Sequence, residues 1–274
     1  MVEVTIADML GLDPKDGDIG LEIELEGRNL PRHVTGWEVH IEPSLRPIGG
    51  HDPREYVFPF PVSLREVRYK LHMLKHDLKN AEVVLSDRTS VHVHINVQKL
   101  TVSQWFNFVI LYLLYEDSLL EFCGDIRKGN LFCLSSFDAE GLIFKLENLA
   151  RSMNFNALDD NDIRYASMNI KATPQYGSIE FRAMRGTDDV GLIEQWVNLL
   201  LSLREKACTF EDPHALLKEA SKDAIAFTRE VFPFALAYED FNASFKRQLY
   251  RCYSIVNGID FMNAVFIDEP LIDI

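Results

Sequence analysis

The chain has 274 residues, with 28 basic against 42 acidic side chains and a formal net charge of −14. That balance argues against a general nucleic-acid or anionic-membrane binder, while 47% hydrophobic residues suffice for a substantial core. Four cysteines without C-x-x-C spacing point to buried free thiols in a reducing compartment, not to a disulfide framework or zinc site. No basic n-region followed by an apolar run opens the chain. Its most apolar stretch, residues 105–114, falls short of the ~20 apolar residues that span a bilayer, so a cytoplasmic protein without membrane contact is expected.

In chain order, residues 1–18 read as a loose lead-in containing the turn-rich Asp13-Pro14-Lys15-Asp16-Gly17-Asp18. A strand over 19–26 alternates Glu22, Glu24 and Glu26 with Leu21, Ile23 and Leu25. The run 36–42 alternates likewise, with Glu38, His40 and Glu42 on one face, and stops at Pro43; Glu55-Tyr56-Val57-Phe58 forms a third strand, stopped by Pro59. Ser63, with Glu66 three residues on, caps a helix over 64–78 carrying a stripe of Leu64, Val67, Leu71, Leu74 and Leu78. Ser90-Val91-His92-Val93-His94-Ile95-Asn96-Val97 then alternates strictly, setting His92, His94 and Asn96 on one face about 7 Å apart.

Thr101 or Ser103 caps a strongly apolar helix to about residue 122, whose Trp105, Phe106 and Tyr112 suit a core or an interface. Asp138 caps a helix over 139–153, segments 164–171 and 178–184 pair around Pro174-Gln175-Tyr176-Gly177, and Asp188 or Asp189 opens a helix over 190–208. From residue 213 the chain is mostly helical, broken near Pro233, and residues 261–274 form an acidic, apolar, strand-like end. The expected architecture is α+β: one curved, mostly antiparallel sheet with helices packed on a single face over 19–209, then a helical extension over 210–274.

Three strands present polar groups suited to chemistry. Glu22 and Glu24 offer oxygen ligands to hard divalent cations, though alone they also read as a solvated acidic face. His92 and His94 suit metal or phosphate oxygens, though such a pair is also common on inert surfaces. Glu180 and Arg182 read either as a cross-strand ion pair or as a metal ligand beside a phosphate-binding fork. Arg164 and Arg127 are further candidates for neutralising phosphate, each equally at home on a solvated surface. The conjunction on three strands carries the weight, because one shared site explains it more simply than three accidents.

Gly20-Leu21-Glu22-Ile23-Glu24, Trp37 with Pro43-Ser44-Leu45, His92-Val93-His94, Arg164-Tyr165 leading to Asn169, and Ile179-Glu180-Phe181-Arg182 followed by Gly186-Thr187 and Trp196 occur in that order. In this the chain resembles the amidoligase family, carboxylate–amine ligases related to glutamine synthetase and gamma-glutamylcysteine synthetase, over residues 19–205. Two positions depart: the family has Gly just before its His-x-His and Asp-Gly-Ser after its Trp, where Ser90-Val91 and Glu42-Pro43-Ser44 stand here. The resemblance implies a glutamine synthetase catalytic-domain-like fold and ATP- and Mg²⁺-dependent (or Mn²⁺-dependent) joining of a carboxylate to an amine through an acyl phosphate. It further implies that Glu22 and Glu24 hold two metal ions, with His92 and Glu180 completing one site and Glu55 an additional ligand. Arg182 and Arg164 would neutralise the transferring phosphate, with Arg127 in support; His94 would contact nucleotide or substrate; Glu42 or Glu38 is a candidate base. The substrates would be a carboxylate- and an amine-bearing small molecule, peptide or protein; homo-oligomerisation is left open. The rival readings are a small-molecule kinase of guanidino type on the same sheet, and a binding or assembly protein without turnover.

Overall fold

Alternating aliphatic and polar side chains build a seven-stranded sheet in the order β2-β3-β1-β5-β7-β6, with β4 also pairing β1. The computed structural model describes residues 4–46, 49–131, 133–139, 141–159, 163, 165–233 and 244–258. The strands are β1 (Ile19–Arg28), β2 (Glu38–His40), β3 (Asp52–Val57), β4 (Glu82–Val84), β5 (Ser90–Asn96), β6 (Met168–Asn169) and β7 (Ser178–Arg185), and every pairing between them is antiparallel. The sheet stays open, edged by β2 and β6. The register sets Glu22 against His92, Glu24 against Glu55, and His94 against Glu180. Directly opposed residues share a face, so these groups all stand on one side.

On the other side lie Leu21, Ile23, Leu25, Val91, Val93, Ile95, Ile179 and Phe181, all buried. Helix α3 (Val102–Cys123) packs there, with Phe108 and Tyr112 at 5.5 and 4.9 Å ring separation from Phe181. Thr101 is its cap: its hydroxyl accepts from the Gln104 amide while Gln104 returns to the Thr101 backbone. Helix α2 (Leu64–Asp77) begins at the expected Ser63–Glu66 capping box. Helix α6 (Val190–Ala207) begins at Asp189, and Arg68 on α2 reaches Glu194 on α6 at 2.6 Å. Trp105, Phe106 and Tyr112 are core residues rather than surface ones.

The amino-terminal segment is not loose. Thr5 caps α1 (Ile6–Leu10), and the Ile6 and Ala7 amides donate to the carbonyls of Leu100 and Gln98. Asn96, expected on the working face, ties this segment down by donating to the Gly17 carbonyl at 2.8 Å. Turn chemistry also shortens β6. Asn169 Oδ1 accepts from the Lys171 amide, and residues expected to form a turn make α5 (Ala172–Tyr176), closed by Gly177 at φ 69°. The helix expected over 139–153 is α4 (Leu142–Ser152).

Nor do the later helices stand apart. Helices α7 (Pro213–Lys222), α8 (Ala224–Val231) and α9 (Phe245–Gly258) belong to the same hydrophobic cluster as the sheet. Tyr115 on α3 packs on Phe232 and Phe245 and bonds Thr228. The apolarity of α3 on nearly every side thus has a plain cause: sheet on one flank, carboxy-terminal helices on the other. Arg164 and the acidic end, residues 261–274, lie outside the described residues. Cys123, Cys133, Cys208 and Cys252 are free thiols, all buried except Cys208. Among the described residues no helix is long and apolar enough to cross a membrane.

A candidate two-cation carboxylate face

Strand β1 is central and contributes one candidate ligand to each of two groups, Glu22 and Glu24, because its alternation sends every second residue to the polar side. Glu22 Oε2 lies 3.1 Å from His92 Nδ1, and Glu180 Oε1 lies 3.5 Å from the same nitrogen. One ligand atom each from Glu22, His92 and Glu180 falls within a mutual 4.8 Å. A second group, equally close, joins Glu24 and Glu55 to Glu42 from the loop after β2. Cations bound by oxygen at ~2.0–2.6 Å bring their ligand atoms to about these separations. The first group mixes two carboxylates with an imidazole; the second is all oxygen, the donor set of a hard divalent ion.

Neighbouring side chains hold these ligands. Ser90 donates to Glu24 Oε2 and lies 2.8 Å from His92 Nε2. Asn169 donates to Glu180 Oε2 at 2.6 Å, and Arg182 Nη1 donates to Glu180 Oε1. His94 shares a hydrogen bond with Ser178 Oγ at 3.0 Å, and its Nε2 stands 3.3 Å from Glu22 Oε1. Gly20 makes room for that ring, since a Cβ there would sit 3.1 Å from His94 Cβ. The residues that sequence reasoning missed as site members are Ser90 and Ser178, each two positions before a ligand on its strand and so on its face. Asn169 has no signal in the sequence beyond its place after Arg164-Tyr165.

The charges are unbalanced. Glu22, Glu24, Glu42, Glu55 and Glu180 stand against Arg182 and two imidazoles. Burial and then the charges of Glu22, Glu24 and Glu42 push the Glu55 carboxyl up to about 7. Burial also opposes ionisation of Glu22, but hydrogen bonds and charge from His92 and His94 outweigh it and hold that carboxyl well below the usual range. At Glu180 burial is overcome by Arg182, His92 and His94, so its carboxyl too is lowered. His94 would be lowered by burial, yet Glu22 and Glu180 raise it. Arg182 Nε is buried and has no acceptor among the described residues, an orphaned donor beside the carboxylates. The excess of carboxyls on this largely buried face and the spare guanidinium nitrogen fit divalent cations together with an anionic group such as phosphate.

Other candidates fall elsewhere. Arg127 is buried at β7, its Nη2 donating to the Arg182 carbonyl at 2.8 Å, and it lines a cavity of about 610 Å³ with α3 and α9 residues such as Asp117 and Arg251. It therefore supports the strand that carries Arg182. Glu38 pairs with His40 at 3.6 Å in an exposed position. Glu42, a candidate base by sequence, stands among the candidate ligands. No protein-family model matches the chain, and no curated protein gives a significant match.

Proposed function

We propose that the protein is an ATP- and Mg²⁺-dependent carboxylate–amine ligase that works through an acyl phosphate, on a sheet of the glutamine synthetase catalytic-domain type. One observation carries the reading: two ligand groups and Arg182 share one sheet face, drawn from strands far apart in sequence. The amidoligase resemblance over residues 19–205 supports it independently of the geometry.

Joining a carboxylate to an amine is uphill in water, and phosphorylation of the carboxylate supplies the electrophile. Phosphoryl transfer needs positioning and charge neutralisation more than covalent help from the protein. Bound divalent cations would supply most of that neutralisation. Glu22, His92 and Glu180 would hold one, and Glu24, Glu42 and Glu55 the other. Arg182, already aligned by Glu180, would direct its free Nε toward a phosphoryl oxygen. His94, only 14% exposed at its side chain and edge-on to Tyr176 at 5.9 Å, would bound the nucleotide or substrate side.

The decisive experiment measures phosphate release from ATP across a panel of carboxylates, with and without hydroxylamine. A ligase forms a hydroxamate with hydroxylamine, and Arg182→Ala slows it by about 10²–10³-fold. ADP formation without hydroxamate or amine consumption identifies a kinase instead. A melting curve unmoved by Mg²⁺-ATP, with no turnover, leaves only a binding or assembly role.

A further inference from the structure

We propose that Ser90 is a positioning residue: it fixes which ring nitrogen of His92 faces the first cation site and ties that site to Glu24 of the second. The proposal rests on the two-cation reading above. Ser90 opens β5 and is buried, at 3% exposure. Its hydroxyl reaches two groups at once, Glu24 Oε2 and, at 2.8 Å, His92 Nε2. Among the described residues neither of those atoms has another hydrogen-bond partner.

A serine hydroxyl has one proton to give, and an ionised carboxylate can only accept. The proton therefore goes to Glu24, and the Ser90 oxygen is left to accept from His92 Nε2–H. That turns Nδ1 toward the first ligand group, where it shares a hydrogen bond with Glu22 Oε2 at 3.1 Å and lies 3.5 Å from Glu180 Oε1. A cation at this group would take the place of that hydrogen bond, while Ser90 keeps hold of the other ring nitrogen. Metal-ligating histidines generally give their second ring N–H to an acceptor that fixes tautomer and ring angle, and here the acceptor is a serine. Because the same hydroxyl holds Glu24, the two ligand groups share one hydrogen-bonded chain, Glu24–Ser90–His92.

The test is a Mn²⁺ titration of the wild-type protein, Ser90→Ala and Ser90→Thr, reading free Mn²⁺ by electron paramagnetic resonance, with circular dichroism to check folding. Affinity is expected to fall about 10–100-fold in Ser90→Ala and to return toward wild type in Ser90→Thr, which keeps the hydroxyl. In parallel, ¹⁵N NMR of wild type with Mg²⁺ is expected to show His92 protonated at Nε2 and bare at Nδ1. Equal Mn²⁺ affinity in Ser90→Ala overturns the role of Ser90 while leaving the cation site standing, and a proton on Nδ1 in the Mg²⁺ form removes His92 from that site and the role of Ser90 with it. A wild-type protein that binds no Mn²⁺ overturns both. Should Ser90→Ala not fold, the wild-type NMR and the Ser90→Thr titration decide the matter.

Discussion

Glu55 and Glu116 show how single carboxyls sense this fold. Glu55, pushed up to about 7 by burial and by Glu22, Glu24 and Glu42, is neutral at pH 6 and charged at pH 8. Cation binding at its cluster should therefore strengthen as pH rises through 7. The Mg²⁺-induced rise in melting temperature is expected to be larger at pH 8 than at pH 6, and Glu55→Gln to erase that difference. Glu116, on α3 and wholly buried, accepts from Ser167 Oγ and the Ser136 amide, yet burial still pushes it up to about 7. Its folded value lies above the unfolded one, so the folded state holds the proton more tightly. Its contribution is complete below about 4.5, the ordinary glutamate value, and is lost as pH rises through 7. The loss amounts to about 3 kcal/mol, and Glu116→Gln should flatten the pH dependence of urea stability between pH 5 and 8. An unaltered slope in that variant would assign the dependence to other groups. Glu22, His92 and Glu180 were legible in the sequence, because period-two alternation alone puts each on a polar face. Glu42 as a ligand neighbour was not, since it follows β2 in a loop whose path is set by tertiary contacts.

At the scale of elements, capping boxes at Ser63 and Thr101 and the alternating runs of β1 and β5 were readable because their signals lie within a few residues. The short helices α1 and α5 were not. A five-residue helix has little periodicity, and α1 exists by docking its amides on the carbonyls after β5. Gly27 is another feature that only pairing explains. A Cβ there would lie 2.1 Å from the Glu82 carbonyl oxygen, so β4 can approach β1 only across a glycine. Gly27→Ala should push β4 away and lower stability by roughly 1–3 kcal/mol. Amide exchange is expected to accelerate at residues 82–84 and hold steady in β5; unchanged protection of β4 would contradict the steric account.

Across the whole molecule, α3 is the shared wall between the sheet and the carboxy-terminal helices, which makes one cooperative unit the expectation. Leu249 on α9 is 3% exposed within the common core. Leu249→Ala should cost about 2–5 kcal/mol and shift a single transition, seen alike by far-ultraviolet dichroism and tryptophan fluorescence. Two separated transitions would instead mark the helices after residue 209 as an independent appendage. By itself the sequence determined an α+β chain with three strands carrying carboxylate, imidazole and guanidinium groups, because side-chain period is a local property of the backbone. Only the tertiary structure decided which carboxylates lie within reach of one cation, and that Arg127 bonds the Arg182 backbone carbonyl. Ligand sets are defined over a few ångströms, and at that scale strand register, a loop's course and one serine hydroxyl fix the outcome.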